Sequence, residues 1–282
     1  MILSLSKPLI ILAAVAIVAV PALADWDASI PAKWVQRPDL SDNGMDVRSG
    51  VHFQNDPWAK TLADDFECRS TGQITSIHIW GSWLRDVLPL GDARHVTFDL
   101  SIHRDIPADA SGTGYSMPEP DPIWEGHFPE GTFQVRVEAD NLFELFYDPN
   151  QDVGDPAPPF NGIIGDDTIC FQYNFDLTQP GVVPLIQQGT PDEPVVYWLD
   201  VTAWTPDDAC VFGWKTSPDH WNDDAVWWDN IPGDDPHELR YPAGHPLQGQ
   251  SIDLAFVIVP EPCTVMLLLG GGALAVARKR RR

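Results

Sequence analysis

Basic residues are scarce in this 282-residue chain, where 17 Lys and Arg stand against 41 Asp and Glu. Lys7 and the five basic residues at the C-terminus lie outside the stretch from Asp25 to Val259. That stretch keeps 11 basic against 40 acidic side chains, a formal charge of −29. Nucleic-acid binding is excluded, because phosphate neutralisation needs Lys and Arg gathered on one face. Cysteine is equally rare. Of four, Cys68, Cys170 and Cys210 fall in the central stretch, too few for a disulfide-framework miniprotein. No Cys-x-x-Cys spacing or paired histidine accompanies them, which argues against a thiolate metal site. A Gly-x-Ser-x-Gly elbow and a His-Glu-x-x-His helix are also missing. Between Asp25 and Val259 no apolar spacing is convincingly helical. Aromatics, in contrast, abound. Twelve Trp and 12 Phe are far too many for a solvated acidic tail, so the central stretch is a folded domain with an acidic surface. Such a surface could gather divalent cations or keep the protein soluble.

Apolar runs mark the two ends. Lys7 supplies a minimal positive region, Pro8 to Val20 is almost unbroken apolar sequence, and Ala22-Leu23-Ala24 offers small residues for a signal peptidase. The run is short for a membrane span, so residues 1–24 are expected to be a signal peptide cleaved before Asp25. At the other end Val259-Pro260-Glu261-Pro262 precedes an apolar stretch, Thr264 to Ala277, which closes on Arg278-Lys279-Arg280-Arg281-Arg282. That stretch, broken by Gly270-Gly271-Gly272, would cross a core about 30 Å thick only with thinning or snorkelling. Its basic end is expected to stay cytoplasmic, leaving everything before Pro260 outside.

This order of motif, apolar helix and basic end resembles the PEP-CTERM sorting domain over residues 259–282. The resemblance implies that Pro260, Glu261 and Pro262 are the sorting motif. An exosortase, a transpeptidase-like membrane protease, would remove the helix and release the protein to the cell surface or exopolysaccharide matrix. The chain would be anchored in the inner membrane until then. Cys263 stands where Ser or Ala is frequent and is taken as a neutral small residue rather than a lipidation point.

Period-two alternation dominates residues 25–258. Val96, Phe98, Leu100 and Ile102 alternate with polar residues, as do Phe133, Val135 and Val137, then Ile169, Phe171, Tyr173 and Phe175, and finally Ile252, Leu254, Phe256 and Ile258. Shorter strands are expected over 75–80, 195–203 and 211–215, with Pro- and Gly-rich connectors at 118–122, 148–165 and 232–246. Half-buried antiparallel strands joined by turns predict an all-β fold: a single jelly-roll-like β-sandwich after an irregular lead-in over 25–55. Outside the cell one disulfide is expected. Cys170 falls on the polar face of its strand, so the expected pair is Cys68–Cys170.

The domain also resembles an uncharacterised β-rich domain of PEP-CTERM proteins from planctomycete-like bacteria. Leu62-Ala63-Asp64-Asp65-Phe66, Ile77 to Trp83, Cys170 to Phe175, Tyr197 to Asp200, Phe212 to Lys215 and His220 to Ala225 carry the resemblance. It supports the architecture and implies no activity.

For chemistry the sequence offers carboxylates and indoles. The acidic pairs Asp64-Asp65, Asp166-Asp167 and Asp223-Asp224 could run glycoside hydrolysis if two faced each other across a bond, but acidic pairs beside turns are usually solvated caps. Calcium takes oxygen ligands from loop carboxylates, and Asp64, Asp65, Asp223 and Asp224 could converge at one sandwich edge. Trp80, Trp83, Trp198, Trp214, Trp221, Trp227 and Trp228 are many for one domain. Exposed indoles stack on sugar rings, although large aromatics are mostly core. Trp80 and Trp198 are assigned to the core, and Trp221, Asn222, Trp227 and Trp228 form the expected carbohydrate-contact patch. His52, His78 and His103 are assigned to strand surfaces. The first expectation is an exported, non-catalytic surface or matrix protein associated with polysaccharide. The alternatives are a calcium-dependent glycan hydrolase or lyase on the same scaffold and a purely structural surface protein.

Overall fold

The alternating segments pair into two sheets that pack face to face. The computed structural model describes residues 25–51, 59–149, 162–207, 209–229 and 233–261. The expected signal peptide, His52, Pro262, Cys263 and the rest of the sorting tail lie outside them. Among the described residues no helix is long and apolar enough to cross a membrane, and the α-helix Ala108–Ser111 is a single turn.

The larger sheet is organised around the strand Gly72–Trp83. One of its edges carries Cys170–Asp176, followed by Phe133–Ala139, with Leu185–Gln187 beside its start. Its other edge carries Phe256–Pro260, followed by Trp34–Gln36, and Phe212–Ser217, followed by Met45–Arg48, Glu144–Tyr147 and Ile163–Asp167. The Met45–Arg48 and Glu144–Tyr147 strands run parallel. In the smaller sheet Val195–Trp204 lies between Lys60–Cys68 and Thr97–Ile106. Trp124–Phe128 and Val226–Asp229 extend it outward on either side.

Successive residues on a strand point to opposite faces, and the inward sets predicted from alternation form the core. Phe98, Leu100 and Ile102 of the smaller sheet meet Phe171, Tyr173 and Phe175 of the larger one. Phe98 sits at the hub, with ring centroids of Phe133, Tyr173, Phe175 and Phe212 at 5.0–5.4 Å. Such pairs add about 0.5–1.5 kcal/mol each beyond the area they bury. Trp83 is wholly buried and its Nε1 donates to the Tyr173 hydroxyl at 2.9 Å. Ile252 to Ile258 is buried as predicted but is not one alternating strand. Ala255 and Val257 are buried too, and the strand divides into Asp253–Leu254 and Phe256–Pro260.

The outer face of the larger sheet departs from the sequence expectation. Cys170, Gln172 and Asn174, read as the polar face of their strand, are wholly buried. Residues 25–32 lie over them: Gln172 Nε2 donates to the Trp26 carbonyl at 3.0 Å, and Asn174 Nδ2 to Asp25 Oδ1 at 3.2 Å. Cys170 therefore packs with Trp26, Trp80, Ala255 and Val257 on that outer face, whereas Cys68 belongs to the core between the sheets. The larger sheet stands between the two sulfurs. The expected Cys68–Cys170 disulfide is thus corrected: Cys68, Cys170 and Cys210 are buried free thiols. His78 and His103 are also buried rather than surface residues. His78 sits between Ser76 Oγ at 2.9 Å and Asn174 Oδ1 at 2.5 Å. His103 bridges Asp200 Oδ2 at 3.0 Å and the Glu119 carbonyl at 2.6 Å.

Candidate functional site

Three tryptophans and a set of polar groups meet where the lead-in segment crosses the edge of the sandwich. Pro31 and Pro38 confine Trp34–Gln36 to a short edge strand, since proline cannot continue a ladder. Alternation aims Trp34 and Gln36 to one side and leaves Val35 exposed. Trp34 packs edge-on against Trp221, with ring centroids 4.9 Å apart at 74°, and against Phe66 at 6.4 Å. The cleft, about 550 Å³, is lined by Trp26, Trp34 and Trp221, by Ile30, and by Gln36, Arg37, Asp219 and His220. Trp34 and Trp221 are half-buried and His220 is exposed, whereas Trp26 is in the wall, edge-on to Trp80.

Gln36 is the floor. Its Oε1 accepts from Trp34 Nε1 at 2.6 Å, and its Nε2 donates to Asp64 Oδ2 at 3.2 Å and to Asp253 Oδ2 at 3.4 Å. Beneath it the carboxyls are satisfied from the backbone: Leu254 N–H donates to Asp64 Oδ2 at 2.6 Å, Asp65 N–H to Asp64 Oδ1 at 2.8 Å, and Trp221 N–H to Asp253 Oδ2 at 2.7 Å. Burial pushes the Asp64 carboxyl well above the usual range, and the neighbouring Asp253 and Asp65 add to it. Burial likewise raises Asp253 to about 6, against the Trp221 N–H bond that favours its charge. Asp65 points to the opposite side of its strand, accepts from Asn222 Nδ2, and is raised by burial to about 8.

The residues expected to act together are only partly gathered, with Asp223 near enough to Asp65 for its charge to help raise that carboxyl. Asp65 and Asn222 meet, and Trp221 joins the cleft. Asp223 also accepts from the Ser116 hydroxyl at 2.6 Å, and Asp224 pairs with Arg240 at 2.6 Å. Among the described residues the one carboxylate trio with single-ion spacing is Asp46, Glu144 and Asp167, which shares no residue with the cleft. Trp227 and Trp228 lie on the strand Val226–Asp229 rather than in a loop. Lys60 Nζ covers the Trp227 ring at 4.3 Å and His237 packs against it at 4.7 Å. Trp228 packs on the Ala63, Trp198 and Val226 cluster. Both are half-buried, as Trp34 and Trp221 are, but they lie outside the cleft lining. Trp34 and Gln36 were missed by sequence reasoning, and their only signal is the brief polar-apolar pattern between two prolines.

One carboxylate, Asp219, lines the cleft, and Arg37 Nε pairs with it at 3.3 Å. The arrangement can grip an uncharged polar ligand between indoles and amide, imidazole and guanidinium groups. It does not place two free carboxyls across a bond.

No curated protein and no solved structure matches the chain. Two family models do. Residues 259–282 match the PEP-CTERM protein-sorting motif, which marks an exported protein anchored in the membrane until an exosortase-type protease processes it; among its residues Pro260 ends the last strand and Glu261 N–H donates to the Gln73 carbonyl at 2.9 Å. Residues 32–259 match a domain of unknown function, DUF7901, and with that span covering both sheets the chain belongs to this family.

Proposed function

We propose that the domain is a non-catalytic polysaccharide-binding module that retains the sorted protein at the cell surface or in the exopolysaccharide matrix. The observation that carries this reading is the cleft of Trp34 and Trp221, floored by Gln36 and rimmed by Arg37, Asp219 and His220. Its volume of about 550 Å³ is in the range of small-ligand sites, roughly 300–1,000 Å³. Half-buried indoles provide large apolar faces at low entropic cost, and the rim supplies donors for ring hydroxyls. An acidic protein surface favours neutral glycans over strongly anionic ones, which the net charge would repel.

Catalysis fits the geometry poorly. Glycoside hydrolysis needs an acid and a base or nucleophile roughly 5–9.5 Å apart on either side of the bond. Asp64 and Asp253 lie behind Gln36, already holding hydrogen bonds, and Asp219 is engaged by Arg37. The test is an affinity panel of neutral and anionic bacterial and algal polysaccharides against the purified protein, with reducing ends assayed in parallel. Saturable binding to a neutral glycan, without new reducing ends, is the expected result. Release of reducing ends, abolished by Asp219→Asn, would replace this reading with the hydrolase.

A further inference from the structure

The outer face of the larger sheet holds a second acidic cluster of a different kind. Lys215 and Asp46 are directly opposed in register, as are Asp167 and Glu144. Their strand neighbours Trp214, Met45 and Val47 point into the core, so these side chains project to the other face. Ser82, beside the inward Trp83, projects with them. All five are buried to 1% exposure or less. The Asp39–Gly44 turn lies against the cluster so closely that a Cβ on Gly44 would come within 3.1 Å of Glu144 Oε1.

Charge does not balance here. Lys215 Nζ approaches Asp46 Oδ2 at 3.1 Å and Glu144 Oε2 at 2.5 Å, which leaves three carboxyls against one ammonium. Asp46 Oδ1, Glu144 Oε1 and both oxygens of Asp167 make no well-formed hydrogen bond, although Asp46 and Asp167 lie close enough to share a proton. Ser82 Oγ, itself without a well-formed hydrogen bond, faces Asp46 and Asp167. Buried charged groups left unpaired cost several kcal/mol each, so this cluster must take up either protons or a cation. One ligand oxygen from each carboxylate lies within 4.8 Å of the other two. Oxygens on opposite sides of a calcium ion are roughly 4.6–5.2 Å apart.

We infer that Asp46, Glu144 and Asp167 bind one calcium ion, with Ser82 Oγ facing the site and Lys215 completing its charge. A divalent cation brings three carboxylates and one ammonium to neutrality. Calcium suits the site better than magnesium, because magnesium dehydrates reluctantly and keeps several waters, for which a fully buried site leaves little room. The ion would tie together strands whose partners are far apart in sequence, and its role is structural. It is independent of glycan binding in the cleft.

The intact protein, stripped on a chelating resin, re-equilibrated with calcium and gel-filtered, should retain about one equivalent by elemental mass spectrometry. Its thermal midpoint should rise with calcium concentration, as expected for a ligand bound only to the folded state. Asp167→Asn should weaken calcium binding by about tenfold or more, while Asp65→Asn, in the hydrogen-bonded cluster, should leave the calcium content unchanged. If Asp167→Asn does not fold, wild-type metal content and the midpoint shift still decide. No retained calcium and no shift at millimolar calcium would overturn the site and leave carboxyls that hold protons. Loss of calcium in Asp65→Asn would move the site to the other cluster, and an equal response to magnesium would overturn the assignment to calcium.

Discussion

The cleft of Trp34 and Trp221 and a larger one beside the smaller sheet use their tryptophans in opposite ways. The larger, about 730 Å³, is lined by Trp124 and Tyr197 together with Ile123, Val183 and Ile186. Trp124 is 5% exposed and its Nε1 donates to the Val183 carbonyl at 2.7 Å, so the ring belongs to the core. What that cleft exposes is aliphatic and charged or amide side chains rather than indole: Val183 and Ile186 are 66% and 59% accessible, beside exposed Arg104, Glu125 and Gln188. In the smaller cleft the indoles are accessible and the polar groups converge around them. On the proposed reading, half-buried indole faces, and not volume or polar lining, distinguish the ligand cleft from the larger one.

Four substitutions or conditions break or sharpen that contrast. Trp124→Ala should have the largest effect, destabilising the domain by about 3–5 kcal/mol through the cavity it leaves; denaturant melts check this, and glycan affinity should be unchanged in the variant that remains folded. A loss smaller than about 1 kcal/mol would mean that Trp124 is not core. Next comes pH. Burial holds His78 near a pKa of about 4, opposed by its bond to Asn174, beneath the segment that walls the smaller cleft. Because the folded value is depressed, its contribution is intact above pH 6.5 and is lost as pH falls through about 4, in total about 3 kcal/mol. His78→Gln should flatten that acid limb in a pH series of unfolding curves, and an unchanged limb would assign it elsewhere. Trp221→Ala should lower glycan affinity about tenfold or more, worth at least ~1.4 kcal/mol. Arg37→Ala should do least. Its ion pair with Asp219 is largely exposed, so stability should change by less than about 1 kcal/mol, with affinity reduced only a few-fold.

Alternation made the inward half of the fold legible, because Phe98, Leu100, Tyr173 and Phe175 obey a local rule that any strand must follow. It failed for the residues between them. Gln172, Asn174, His78 and Cys170 look solvent-facing until a segment about 146 positions away in sequence lies over Gln172, and no local pattern announces such a cover. The same reason hid the carboxylate trio. Asp46, Glu144 and Asp167 come from three strands, and only the pairing register brings them together. Adjacent Asp64-Asp65 was the more conspicuous pair, yet neighbours on a strand face apart and find separate partners. Trp221 was legible as an available indole within a polar loop. Trp227 and Trp228 are half-buried as Trp221 is, and their neighbours Lys60, His237 and Trp198 are set by pairing across the smaller sheet.

The most direct test is to measure wild type, Trp34→Ala, Trp221→Ala and Trp124→Ala side by side against the polysaccharide that binds best, after verifying folding by near-ultraviolet circular dichroism. The account predicts that Trp34→Ala and Trp221→Ala lose binding while folded Trp124→Ala keeps it. Retained binding in the first two, with loss in the third, would place the ligand in the larger cleft and contradict the account.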